Sequence, residues 1–291
     1  MEPKSTFLKR YALVLFFLLA YLFTWANWLP RAAANLGLFS LQPPEFVILL
    51  AGYGPALAAI LTASLTLGRA GLRQLFSRLL RWRVKLWWYL AALLIPVGIQ
   101  LGALSLSVLL SGQPLGFSST GKLPFLPGDM PLWLHGLMFF IILVLGFDGL
   151  GEELGWRGFA LPRLQERFGP FAASLVLGFF WALWHLPYMF SEGSALAGRP
   201  LILFFLNTMG ISVVYTWIFN NTRASVLLAI LFHASGNLTA TLLGVLFPAA
   251  ADPRVYVFVA VINWVLAVVL LLTSPVFASA RLPARQATFE E

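Results

Sequence analysis

Long uninterrupted apolar runs constrain this chain more than any other feature. A helix crosses about 30 Å of hydrocarbon with about 20 residues. Lipid offers no partner to a backbone amide, so each run must close its own hydrogen bonds. Eight such runs are read at 11–29, 45–67, 86–111, 131–150, 171–190, 200–220, 224–247 and 254–273. Composition agrees. Of 291 residues, 60% are hydrophobic and 10% charged, whereas soluble domains carry about 25% charged residues. The expected fold is all-α: a polytopic membrane helical bundle of about eight transmembrane helices, forming a single membrane domain over 1–291. The run 11–29 is long enough to span and is followed only by a weak cleavage-like stretch at 32–34. It is expected to stay attached as the first membrane helix.

An even number of spans puts both termini on one side. If that side is the cytoplasm, the inner segments hold Lys4, Lys9, Arg10, Arg69, Arg73, Arg78, Arg81, Arg83, Lys85, Arg157, Arg163, Arg167, Arg223, Arg281 and Arg285. The outer loops hold Arg31, Lys122, Arg199 and Arg254. This asymmetry fits the positive-inside rule with cytoplasmic termini. The net charge of +8 is thereby explained by topology and by attraction to anionic lipid, and no nucleic-acid partner is expected. The basic, amphipathic stretch 70–83 reads as a short helix on the cytoplasmic surface. The Gly-, Pro- and Ser-rich loop 112–130 is expected outside. The chain has no cysteine, which excludes disulfides, thiolate nucleophiles and thiolate metal ligands.

Polar residues inside the apolar runs call for an explanation, since a charge at a helix centre costs about 2.5–3.5 kcal/mol on insertion scales. The segment Gly-Phe-Asp-Gly-Leu-Gly-Glu-Glu-Leu-Gly-Trp-Arg-Gly covers 146–158. A helix continued from the fourth run to about Leu161 would place Glu152 about 16 Å above Arg163, inside the cytoplasmic half of the membrane. Glu153 and Arg157 are four apart and face each other, which leaves Glu152 about 100° away and free. Gly146, Gly149, Gly151, Gly155 and Gly158 would admit another backbone or a substrate. In the fifth run, Trp181 and His185 share a helical face. In the seventh, His233 and Asn237 do the same, and both histidines are read as lying well within their runs. Asp148 is one turn before Glu152 and is placed to face the same cavity. His135, about 25 Å further along that helix, and Asn207 in the sixth run are read as structural.

Taken in order, Glu152-Glu153-x-x-x-Arg157, the aromatic Trp181 one turn before the middle histidine His185, and His233-x-x-x-Asn237 resemble the three motifs of the CAAX-protease and bacteriocin-processing family. This is the family of the type II CAAX prenyl endopeptidases. The resemblance covers about 131–247. Trp181 stands where that family often has Phe, a change that keeps aromatic bulk. The resemblance implies an intramembrane endopeptidase in a prokaryotic cytoplasmic (inner) membrane, with its site towards the cytoplasmic half. Its substrate would be a membrane-associated or lipid-anchored peptide or protein. By the same resemblance Glu152 activates water, and His185, His233 and Asn237 complete the catalytic set.

Chemistry narrows the mechanism. The His-Glu-x-x-His zinc pattern is absent, Asp148 is the only aspartate in any run, and a serine route through Ser235 is awkward next to His233. Glu152 as general base, with His185 holding the water or donating a proton, meets the requirement. His233 and Asn237 would then donate to the oxyanion, while Glu153, Arg157 and Trp181 support them. No cofactor is favoured. The alternative is a metalloprotease-like site with Zn2+ on Glu152, His185 and His233. Two other functions are carried as alternatives: a membrane transporter, against which the lack of an inverted repeat argues, and a catalytically inactive scaffold or immunity protein of the same fold. The protease reading expects Glu152, His185, His233 and Asn237 to line one water-accessible cavity.

Overall fold

The computed structural model describes residues 8–38, 50–112, 130–146 and 148–278, together with 44, 47, 114–118 and 123. Lys4, Lys122, Arg281 and Arg285, the start of the run at 45 and most of the loop 112–130 lie outside the described residues. Among the described residues all regular structure is helical. In chain order the helices are α1 (Ala12–Asn35), α2 (Gly54–Leu79), α3 (Leu86–Ser111), α4 (Leu132–Leu145), α5 (Gly149–Gly155), α6 (Leu161–Trp184), α7 (Leu186–Met189), α8 (Leu201–Asn221), α9 (Val226–Leu246), α10 (Pro253–Thr273) and α11 (Pro275–Ala278). A π-helical turn, Trp156–Ala160, joins α5 to α6. The chain is an integral, multi-pass membrane bundle.

Seven stretches are long and apolar enough to cross a membrane among the described residues. The difference from the eight runs expected lies in one of them, Leu132–Trp184, whose 53 residues contain both the fourth and the fifth run. Straight, it would extend about 80 Å, far more than a bilayer needs. It is not straight. At Gly169 the backbone adopts φ 73°, ψ 170°, a region L side chains rarely reach, and Pro170 follows without an N–H to offer. The two runs therefore lie on helices of different direction.

The unbroken helix expected from the fourth run to Leu161 is also corrected. α4 ends at extended Gly146 (φ −86°, ψ −162°), whose N–H returns to Ile142 O at 2.7 Å. Helix resumes at Gly149, so α5 starts a fresh direction and carries Glu152 and Glu153 on its own axis. α5 then lies backbone to backbone against the start of α2. A methyl group added at Gly155 would meet Pro55 O at 2.5 Å, and at Gly151 it would meet Gly52 O at 3.0 Å. The partner admitted by these glycines is thus the protein's own chain. Close approach of this kind is the main source of helix association where lipid is as apolar as the side chains.

The core beside α5 is aromatic. Phe16 of α1 stacks on Phe159 at 5.1 Å and meets Trp156 edge-on at 5.5 Å, contacts worth about 0.5–1.5 kcal/mol each. α6 packs along α8, α3 along α9, and α10 against both α8 and α3. The amphipathic stretch is a separate helical piece after a kink at Gly68, but it stops at Leu79 rather than 83. It is not wholly a surface element, since Gly71, Leu75 and Arg78 are buried.

Candidate active site

α5 presents two adjacent carboxylates to two different sets of partners, because consecutive residues on a helix point about 100° apart. Glu153 takes one side. Its Oε1 accepts from Arg157 Nη1 at 2.9 Å and from His233 Nδ1 at 2.8 Å. The i,i+4 pair with Arg157 is as the spacing predicts. The surroundings of Arg157 are not, for it was grouped with the cytoplasmic surface charges. It is fully buried, its guanidinium 3.7 Å from the ring centre of Tyr215 and 4.4 Å from that of Trp181, and its Nη2 donates to Ser212 Oγ at 3.3 Å. Buried charges persist only when paired and bonded in this way.

Glu152 takes the other side. Its Oε2 accepts from Trp181 Nε1 at 2.5 Å and from Trp156 Nε1 at 3.3 Å. Its Oε1 faces His185 Nε2 across 3.9 Å. That gap is too long for a direct hydrogen bond and is of the kind a water bridges. His185 Nδ1 lies 2.8 Å from Trp181 O. A carbonyl only accepts, so Nδ1 carries the hydrogen and a neutral ring offers its Nε2 lone pair towards Glu152. The same reasoning applies to His233: its Nδ1 donates to the Glu153 carboxylate, so Nε2 is the atom left for other work.

His185 does not sit well within a helix, as its run suggested. It caps the end of α6, and α7 begins after it. Pro187 is the reason: its ring and missing N–H interrupt the helix one turn earlier. His233 is mid-helix on α9, as expected. One turn on, Asn237 Nδ2 donates to Asp148 Oδ2 at 2.8 Å. Asp148 thus meets the site through Asn237.

Trp181 joins the parts. Its indole bonds Glu152, its carbonyl holds His185, and its ring lies 5.6 Å from that of His233. The structure therefore brings together Glu152, His185 and Trp181, and separately Glu153, Arg157 and His233. Asn237 stands a turn away with Asp148. Glu152 is 4% and His233 8% exposed, while His185 and Asn237 are partly exposed. Ser235 turns away from the histidines and donates to Leu93 O. His135 is buried in the first turn of α4. Asn207 accepts from Asn263 of α10 at 2.6 Å.

Among the described residues no three His, Asp or Glu side chains are grouped as ligands of one ion.

Three contributors are absent from the sequence reading. Trp156 follows Glu152 by four residues, so i,i+4 spacing contained that signal. Tyr215 and Ser212 hold Arg157 from α8, and nothing in local spacing points to them.

Residues 134–239, which carry Glu152, Glu153, Trp156, Arg157, Trp181, His185, Ser212, Tyr215, His233 and Asn237, match the family described as Type II CAAX prenyl endopeptidase Rce1-like. A stretch of 159 residues is 35% identical to "CAAX prenyl protease 2" of Methanococcus maripaludis, covering 53% of this chain and 55% of that protein. The match thus spans about half the length of the curated relative. Motif order and helical fold agree with that match, so residues 134–239 are similar to the Type II CAAX prenyl endopeptidase Rce1-like family.

Proposed function

We propose that this protein is an intramembrane endopeptidase that hydrolyses a peptide bond of a membrane-associated or lipid-anchored substrate by a metal-free, glutamate-activated water mechanism. The observation that carries the reading is the 3.9 Å gap between Glu152 Oε1 and His185 Nε2, with each group's other polar atom fixed by Trp181. A water in reach of both atoms donates one hydrogen to the carboxylate and the other to the imidazole. Glu152 is the general base as the water attacks the scissile carbonyl. The proton it takes then passes to the leaving amine, and His185 holds the water throughout.

The tetrahedral oxyanion needs donors aimed at it. Asn237 supplies an amide N–H and His233 supplies Nε2–H. Because His233 already donates Nδ1–H to Glu153, it gives a second N–H only as the imidazolium, and the Glu153 carboxylate beside it stabilises that charge. Arg157 balances Glu153 and fixes its rotamer, so Glu153, Arg157 and Trp181 act as positioning residues.

The proposal extends to setting. The whole chain, 1–291, works as one membrane domain with cytoplasmic termini. Its site lies in the cytoplasmic half of a prokaryotic inner membrane, and the exposed side of its basic segment ending at Leu79 faces that surface. The relative's name makes a prenylated peptide ending in a CAAX sequence the first substrate to try.

The test uses detergent-purified protein in chelator with quenched peptides, prenylated or acyl-tethered. Cleavage by the wild type and not by Glu152→Gln is expected. Cleavage that appears only with added zinc would overturn the metal-free mechanism and keep the protease. Equal cleavage by both proteins would remove Glu152 as the base.

A further inference from the structure

Away from the site, at the end of the bundle where α1 begins, a cavity of about 320 Å³ is lined by Lys9, Thr66, Gln74, Arg78, Arg163 and Glu166, with Ala12, Leu67 and Pro162 completing its wall. Three cations and one carboxylate converge there. Arg78 is 8% exposed. One of its Nη1 hydrogens goes to Gly158 O, and its buried Nε has no hydrogen-bond partner among the described residues. Arg163 spends Nη1 on Phe159 O at 2.9 Å and lays its guanidinium over the Phe159 ring at 3.7 Å. Both arginines are therefore held in place by the backbone and ring of the π-turn, while their charge is not met by an equal number of acids.

We propose that this cavity binds a phosphate-ester anion, the headgroup of an anionic phospholipid.

Three cations met by one carboxylate in one cavity call for an anion, and phosphate oxygens match the planar fork of arginine. Location selects the source. The cavity opens where Lys9 precedes the apolar run of α1, at headgroup depth, and basic pockets between helices on the cytoplasmic side are suited to anionic lipid headgroups. Gln74 adds a neutral donor, and Leu67 and Ala12 offer apolar surface to the first carbons of an acyl chain. The position has a consequence. Arg78 and Arg163 both bond the turn Trp156–Ala160, which continues directly from the helix bearing Glu152 and Glu153, so a bound headgroup would brace that turn.

The experiment is thermal melting of the purified full-length protein titrated with dioctanoyl phosphatidylglycerol, dioctanoyl phosphatidylcholine or sodium phosphate. Phosphatidylglycerol is expected to raise the melting temperature saturably and phosphatidylcholine to leave it unchanged. Lys9→Gln combined with Arg163→Gln should raise the half-saturating concentration at least tenfold, whereas Arg73→Gln, exposed on α2 and outside the cavity lining, should not move it. Melting without lipid shows whether each variant is folded, since Arg163→Gln also gives up the bond to Phe159 O, and Arg78 is left intact because it is buried. Equal protection by phosphatidylcholine, or equal weakening by Arg73→Gln, would overturn the proposal. Sodium phosphate matching the lipid in half-saturation would overturn the lipid as the source and leave a site for a soluble anion. None of these readouts depends on peptidase activity, so the anion site and the protease reading fail independently.

Discussion

Two polar clusters lie within the same apolar bundle, and they are built differently. Between α8 and α10, Asn263 donates to Asn207 at 2.6 Å. Both are neutral amides and no charged group is within the pair, although the buried Oδ1 of Asn263 has no hydrogen-bond partner among the described residues. Between α5, α6 and α9, two carboxylates, an arginine and two histidines share one volume, and they do not close on themselves. Glu153, Arg157 and His233 form a bonded chain, yet Glu152 Oε1 and His185 Nε2 face each other without touching. A bundle that needed only cohesion would use the first kind, which avoids the desolvation of ions. Keeping the second kind in lipid, with a gap at its centre, points to a task other than holding helices together.

The comparison is broken most sharply at Glu152. Glu152→Gln keeps shape and both indole contacts but removes the base. Peptide cleavage should fall between about a hundredfold and ten thousandfold, with the melting temperature nearly unchanged. A variant that melts as the wild type and cleaves as the wild type would return this cluster to the structural class of the asparagine pair.

Next is Arg157. Arg157→Leu leaves the Glu153 carboxylate buried with His233 alone, and breaking a buried pair from one side costs about 3–5 kcal/mol. Chemical or thermal denaturation in detergent should show that loss, and activity should fall with it. The double variant Glu153→Gln with Arg157→Leu should recover much of the stability and little of the activity. Recovery of both would mean that this pair does not serve His233.

Asn237→Ala should lower kcat by about 2.7–4 kcal/mol, the worth of one oxyanion donor, with KM little changed. Asp148→Asn tests the same arrangement from behind, since it exchanges the carboxylate that accepts from Asn237 for an amide able to present either end. A large rise in KM at constant kcat for Asn237→Ala would make Asn237 a substrate contact instead.

Much of this was legible in the sequence where the relation is local. Glu153 with Arg157 follows from one helical turn, and Trp181 with His185 shares a face for the same reason. The unreadable part is where tertiary structure interrupts the local rule. Hydropathy averages over windows, so it carried the fourth run across Gly146 and the fifth past Trp184, although a single extended glycine and Pro187 stop the helices there. The charge map counted Arg157 with the surface because its neighbours in sequence are at a helix end. Only the aromatic walls from α6 and α8 reveal it as interior. Asp148 and Asn237 are 89 residues apart, and no spacing joins them.

The smallest effect sharpens the comparison from its quiet side. Asn207→Leu and Asn263→Leu, made together, replace two amides by apolar side chains of similar size, so neither is left alone in lipid. Interhelical hydrogen bonds in membranes average about 0.6 kcal/mol by double-mutant cycles, and the double variant should lose stability by about that amount while cleaving peptide at the wild-type rate. Either single variant should be worse than the double, because one amide would be stranded. A double variant that lost activity while keeping its stability would show the α8–α10 pair to be coupled to Tyr215 and Ser212 on α8, and through them to Arg157. The two clusters would then be one polar system, and the division between a cohesive and a working cluster would not hold.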